Sequence, residues 1–208
     1  TAAGFAPADW VLSMLKSGHE FFYQYEDGNI IGVYDVSKED YVRIARTPGL
    51  LLLKEQNLIS KNAGASLYDL GDGVAGVEFH TKMNAIDADI VAIMTEALDR
   101  TESEFDGLVV GNEADHFSAG ANLFMVVMAA QQGLWDQLEE MVKGLQDMNM
   151  RMRYSPKPVV IAPAGMALGG GCEITMHGSR VVASSETYIG LVELGAGVIP
   201  AGGGTKEI

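Results

Sequence analysis

Three consecutive glycines, Gly169-Gly170-Gly171, lie between an apolar run at 158–162 and a helical-looking segment at 172–177. That order reads as strand, tight turn and helix start. Without Cβ atoms the backbone can approach a ligand closely. The first helical turn adds free N–H groups and the positive end of the helix dipole. An oxygen gaining negative charge would be stabilised there, and Glu173 places a carboxylate beside it. An acid/base next to an oxyanion pocket is a catalytic arrangement. A phosphate-binding loop or a plain packing turn remains open from these residues alone.

The rest of the chain alternates strand and helix signals. Pro7 followed by Trp10, Val11, Met14 and Leu15 predicts a short amphipathic helix stopped at Gly18. Residues 21–25 and 30–36 read as strands around an Asp27-Gly28-Asn29 turn, and 41–44 as a further strand. Thr47-Pro48-Gly49 breaks the pattern, residues 50–53 are left unassigned, and 54–64 reads as helix or linker. A boundary is placed near residue 60, giving an N-terminal appendage (1–60) and a core (61–208).

Within the core, 74–80 alternates as a strand, and Asp87 caps a helix carrying Ile90, Val91, Met94, Ala97 and Leu98. A buried strand at 108–110 leads to a second glycine turn, Ser118-Ala119-Gly120-Ala121. Leu134, Leu138, Met141, Leu145, Met148 and Met152 mark a long amphipathic helix. Strands at 159–162, 181–183 and 187–189 complete an α/β pattern with largely parallel pairing. If the two glycine loops are neighbours, each offers a backbone N–H to one carbonyl oxygen. Glu193, twenty residues beyond Glu173, supplies a second carboxylate for proton removal and delivery. Taken alone, Glu193 also reads as an ordinary surface carboxylate.

Composition excludes several classes. The net charge of −14 lacks the basic face a nucleic-acid partner needs, and it disfavours anionic membranes. The one cysteine, Cys172, permits no internal disulfide and fits a reducing cytoplasm. It reads as a small buried residue, not a nucleophile. His19, His80, His116 and His177 show no metal spacing, and no strand–GxGxxG–helix unit for NAD is present. No apolar stretch reaches membrane-spanning length, no secretory signal is visible, and a start without Met suggests a cut-down chain.

Four blocks together resemble the enoyl-CoA hydratase/isomerase (crotonase) superfamily across 74–208. They are Val77-Glu78-Phe79-His80-Thr81-Lys82-Met83-Asn84-Ala85-Ile86, Phe117-Ser118-Ala119-Gly120-Ala121-Asn122-Leu123, the run from Lys157-Pro158 to Gly171-Cys172-Glu173, and Ile189-Gly190-Leu191-Val192-Glu193-Leu194-Gly195 through Gly204-Thr205. The resemblance implies a ββα superhelical core and a substrate that is a CoA thioester. It implies an oxyanion hole from the N–H groups of Ala121 and Gly170, with Glu173 and Glu193 as the catalytic pair. Ala119 would meet the CoA adenine, Lys82 a CoA phosphate, and Phe124 and Met125 (with Met128) the acyl chain. Plain core packing or solvation is the alternative for those last side chains.

Carrying both glutamates favours hydration of trans-2-enoyl-CoA over double-bond isomerisation, with an inert acyl-CoA-binding module as the third reading. His80-Thr81-Lys82, Asn122 and Gly178-Ser179 depart from the usual pattern, outside the proton chemistry. The family's C-terminal pocket-closing helices and homo-oligomer contacts would follow residue 208. Gly4-Phe5-Ala6-Pro7, Met14, Gly18 and Phe21-Phe22-Tyr23 look similar to the tail of a 3-hydroxyacyl-CoA dehydrogenase domain. That implies a bifunctional β-oxidation parent whose NAD-binding half lies elsewhere, and no cofactor in this piece.

Overall fold

The computed structural model describes residues 4, 6–26, 28–45 and 47–207. Phe5, Asp27 and Ile208, which the sequence reading used, lie outside them. The chain divides into two compact units, Thr1–Leu51 and Leu52–Ile208.

In the first unit, helix α1 (Asp9–Lys16) precedes an antiparallel sheet of β1 (Tyr23–Glu26), β2 (Asn29–Asp35) and β3 (Asp40–Arg43), in that order. Met14 is the buried residue of α1, and Gly18 takes φ +87 just beyond its last turn. His19 packs its ring on Tyr34 and Tyr41, with Nε2 3.3 Å from Asp40 Oδ1.

The second unit opens with a 3-10 turn, Leu53–Glu55, and then strands β4 (Asn57–Lys61), β5 (Ala65–Asp69) and β6 (Val74–Phe79). The segment 54–64, expected as helix or linker, holds the strand 57–61, and residue 60 lies inside that strand. Neither β4 nor β5 alternates cleanly. β5 is buried along its first three residues, so the period-two signal is lost. Beyond β6 come α2 (Ala88–Glu104), β7 (Gly107–Gly111), α3 (Leu123–Gln131), α4 (Trp135–Arg153) and β8 (Val159–Ala162). The chain continues through β9 (Met166–Leu168), α5 (Gly170–His177), β10 (Arg180–Val181), β11 (Tyr188–Gly190), a 3-10 turn at Glu193–Ala196 and α6 (Gly204–Glu207).

The main sheet has six strands in the order β10-β8-β7-β6-β5-β4. It is parallel from β10 to β6, in line with the largely parallel pairing expected, and antiparallel from β6 to β4 at the other edge. α2 crosses between β6 and β7, and α3 with α4 between β7 and β8, as parallel neighbours require. Asp87 caps α2 by accepting from the Ile90 N–H at 3.0 Å. The face it starts, Ile90, Ile93, Met94, Ala97 and Leu98, is buried with Leu145, Met148 and Met152 of α4 against Leu67, Val77, Leu108 and Ile161 of the sheet. Phe79 and Phe117 close this core with ring centroids 5.7 Å apart. Burial of such side chains contributes about 1.5–3 kcal/mol each.

Candidate active site

A second, smaller parallel ladder positions the site. β11 pairs with β9, and β9 in turn bridges to Ser118 through Ala167. The Ser118 N–H donates to Met166 O at 2.9 Å, and the Leu168 N–H donates to Ser118 O at 2.9 Å. The two glycine loops are thus stitched side by side through strand-like bonds. Gly171 lies so close to Ser118 that an added Cβ would sit 2.7 Å from the serine Cβ. Ser118 is fully buried, and its hydroxyl accepts from the Gly120 N–H at 3.1 Å.

The first loop also pairs backwards. Ile86 bridges in parallel to Ala121, its N–H donating to Gly120 O at 2.8 Å and its carbonyl accepting from the Asn122 N–H at 3.2 Å. In that pattern the N–H of Ala121 points away from Ile86. Gly170 opens α5, so its N–H lacks a partner one turn back. Among the described residues neither amide donates to a protein acceptor. They are close: a Cβ on Gly170 would lie 3.6 Å from Ala121 N, and one on Gly120 would lie 3.5 Å from Gly170 N. Gly169 caps α5 at φ +52, ψ −121, a conformation that requires glycine.

Glu173 sits in the first turn of α5 and is 2% exposed. Its Oε1 accepts from the Gly204 N–H at 2.9 Å. Burial pushes its carboxyl above the ordinary range and the Glu193 charge adds to that, while the Gly204 and Gly202 amides and His177 pull the other way. Glu193 begins the 3-10 turn after β11, and its carboxyl lies over Gly169, with Oε1 3.2 Å from the glycine's Cβ position. Its other oxygen, Oε2, is buried with no hydrogen-bond partner among the described residues. Such an atom costs free energy unless something occupies the space beside it. The Cys172 thiol is pushed up by burial and by both glutamates, which suits a packing residue better than a nucleophile.

All of this faces one cavity of about 520 Å³. Ala119, Ala121, Gly170, Glu173 and Glu193 line it, five positions from three separate stretches of sequence. The structure places three predicted residues elsewhere. Phe124 and Met125 are exposed at 71% and 51%, and α3 turns Leu123 and Val126 to the cavity instead. Leu123 and Val126, three residues apart, share the helix face that lines the cavity, which Phe124 and Met125 do not. Lys82 is exposed outside the lining, in the 3-10 turn Lys82–Asn84. That turn is tied to the first loop, since the Ala119 N–H donates to Met83 O at 3.1 Å. Met83 and Asn84 hold left-handed backbone at φ +59 and +49, with Asn84 Nδ2 donating to His116 O at 2.9 Å.

Sequence reasoning missed Gly202 and Gly204, which press on the Glu173 carboxyl. Their only signal was the run Gly202-Gly203-Gly204, read as part of a family block. Among the described residues no group of three His, Cys, Asp or Glu is placed to hold a metal, and no helix is long and apolar enough to cross a membrane.

Two loop amides and two carboxyls on one apolar cavity can stabilise an oxyanion beside acid–base groups. Residues 73–206 match the enoyl-CoA hydratase/isomerase family, and the chain belongs to it. A Bacillus subtilis protein named "Probable 3-hydroxyacyl-CoA dehydrogenase" is 45% identical over 204 residues, covering 96% of this chain and 25% of that protein. A fatty acid oxidation complex subunit alpha from Psychrobacter cryohalolentis is 32% identical over 141 residues, covering 65% of this chain and 20% of the subunit. The chain therefore spans about a quarter or less of the length of these relatives. The crystal structure of an enoyl-CoA hydratase from Polaromonas sp. JS666 superposes with a TM-score of 0.62 at 26% identity, covering 73% of this chain and 57% of that one. The fold is the crotonase fold.

Proposed function

We propose that the chain is an enoyl-CoA hydratase, adding water across the C2–C3 double bond of a trans-2-enoyl-CoA in β-oxidation. The thioester oxygen would accept from the N–H groups of Ala121 and Gly170. Charge that builds on this oxygen as water attacks C3 is then met by fixed dipoles in an apolar site. Losing one such donor costs roughly 3–4 kcal/mol of barrier in measured cases. Glu173 and Glu193 would hold the water between them; one accepts its proton while the other delivers a proton to C2. A Glu173 carboxyl that burial and the neighbouring carboxylate keep protonated to higher pH suits that division. Isomerisation needs one carboxyl to shuttle a proton between C2 and C4, and leaves the second without a task.

The observation that carries this reading is the bare, buried Glu193 Oε2 on the same cavity as Glu173 and the two free amides. Ala119, and Lys82 just outside the lining, stand at the first loop, where the CoA adenine and a phosphate would lie. We further propose, from the match over 204 residues, that the chain is part of a longer protein that also carries 3-hydroxyacyl-CoA dehydrogenase activity. NAD would be held by that protein's other domain, and the hydratase product would be the dehydrogenase substrate.

The test is to follow loss of 2-enoyl thioester absorbance in H₂¹⁸O. One ¹⁸O in the product's hydroxyl is expected. Conversion of 3-enoyl-CoA without label would instead make the site an isomerase, and acyl-CoA binding with no conversion would make it a binding module.

A further inference from the structure

The Glu173 carboxyl is gripped by a segment that the hydration chemistry does not use, at 201–207. Three side chains of α4 at positions 146, 149 and 153, spaced three and then four apart, reach the same segment. Gln146 Nε2 donates to Ala201 O at 2.6 Å. Asn149 Nδ2 donates to Gly202 O at 2.9 Å. Arg153 Nη2 lies 3.2 Å from Glu207 Oε2. From α5 comes His177, four residues after Glu173. Its Nδ1–H donates to Glu173 O at 2.7 Å, because a carbonyl can only accept. Its Nε2 faces Glu207 Oε1 at 3.9 Å. The ring packs under Gly203, which holds φ +109 with its Cβ position 3.3 Å from the imidazole.

Asn149 and His177 are 0% and 1% exposed. Burying two polar side chains is costly unless their bonds are made, so their presence asks for a reason. What they hold is the backbone that donates the Gly204 N–H to Glu173 and presses Gly202 against its other oxygen.

We propose that Asn149 and His177 are positioning residues for Glu173, acting through the Gly202–Gly204 backbone. This rests on the hydratase reading for its effect on turnover, but the clamp itself is independent of it. The charged or titratable groups around Glu173 are Glu193 from the 3-10 turn, Cys172 and His177 on its own helix, and Glu207, Lys206 and Arg153 behind the clamp. An amide bonded to a carboxylate favours the charged form. Releasing the segment removes that bond, so the Glu173 carboxyl holds its proton to still higher pH.

Two readouts test this in the full-length protein. In the first, the Gly204 amide is followed by NMR through a pH titration. In the parent it should report the ionisation of Glu173. In Asn149→Ala and in His177→Gln the response should weaken and its midpoint rise. In the second, kcat for hydration should fall about tenfold or more with KM changed less than threefold, and the limb of the pH profile that Glu173 sets should move up. Gln146→Ala, at an exposed position, should show the same shifts at smaller size if the buried variants fail to fold. Amide titrations and pH profiles unchanged in all folded variants would overturn the proposal. An intact Gly204 response in a parent that hydrates nothing would instead overturn the hydratase reading alone.

Discussion

Gly202→Ala concentrates the logic of the site into one methyl group. The glycine lies against the Glu173 carboxyl and against Leu145 of α4. A Cβ there would fall inside contact distance of Glu173 Oε2, and 2.9 Å from both the carboxyl carbon and Leu145 Cδ2. Favourable carbon–carbon contact begins near 3.5 Å, so roughly 0.6 Å or more must be found by moving something. Leu145 is in the core and backed by α2, and the backbone of 202 is held by Asn149. The carboxyl is the softer partner and moves first. Overpacking of this kind costs about 1–3 kcal/mol. At roughly 2–4 °C per kcal/mol for a chain of this size, the melting temperature should drop by about 2–12 °C. A misplacement approaching 1 Å at a reacting group can cost about 10²-fold in rate. Hydration kcat/KM should therefore fall about 10- to 100-fold, well beyond what the loss of stability removes at 25 °C. The assays are loss of 2-enoyl thioester absorbance and thermal melting by circular dichroism on the same preparation. Full activity with an unchanged melt would refute the packing of Gly202 on Glu173, and with it the reason given for the third glycine run.

Further outcomes follow from the same geometry. Glu173 carries a carboxyl pushed above 4.5, so the folded chain holds that proton more tightly than the unfolded chain. Its contribution to stability is complete below the ordinary glutamate pKa and is lost as pH rises through the folded value. Glu173→Gln should therefore melt above the parent at pH 7–8, with the gap closing in acid; a gap that grows in acid would show the opposite shift. Ser118→Ala leaves the Gly120 N–H without its acceptor, and urea unfolding should show a loss of about 1–3 kcal/mol. Gly171→Ala would put a Cβ 2.7 Å from that of Ser118 and prise the loops apart, so both activity and stability should fall, by about 1–3 kcal/mol for the latter.

Much of this was legible in the sequence, for identifiable reasons. Strongly periodic or capped elements declared themselves. Asp87 marked the start of α2, and the Leu145, Met148, Met152 stripe marked α4 as a core helix. Strand–glycine–helix order marked the two loops, the family resemblance singled out Ala121 and Gly170 within them, and the meeting of the loops follows from the Ser118–Ala167 bridge. β5 escaped because its first three residues are all buried and so do not alternate, β4 because it is an edge strand with no buried residue to set a period, and β9 because it is only three residues long. Leu123 and Val126 were passed over for Phe124 and Met125, because size and apolarity do not say which helix face is turned inward. Gly202 and Gly204 touch Glu173 across about thirty positions of sequence, a contact that only the folded chain creates.

The central claim is that two carboxyls and two main-chain amides act on one thioester. It is tested most directly by the turnover of Glu173→Gln and Glu193→Gln with a trans-2-enoyl-CoA, each compared with the parent at equal folded concentration. Acid–base groups contribute roughly 10²–10⁴-fold, so each variant should lose at least about a hundredfold in kcat. A parent-like rate in either variant would contradict the account.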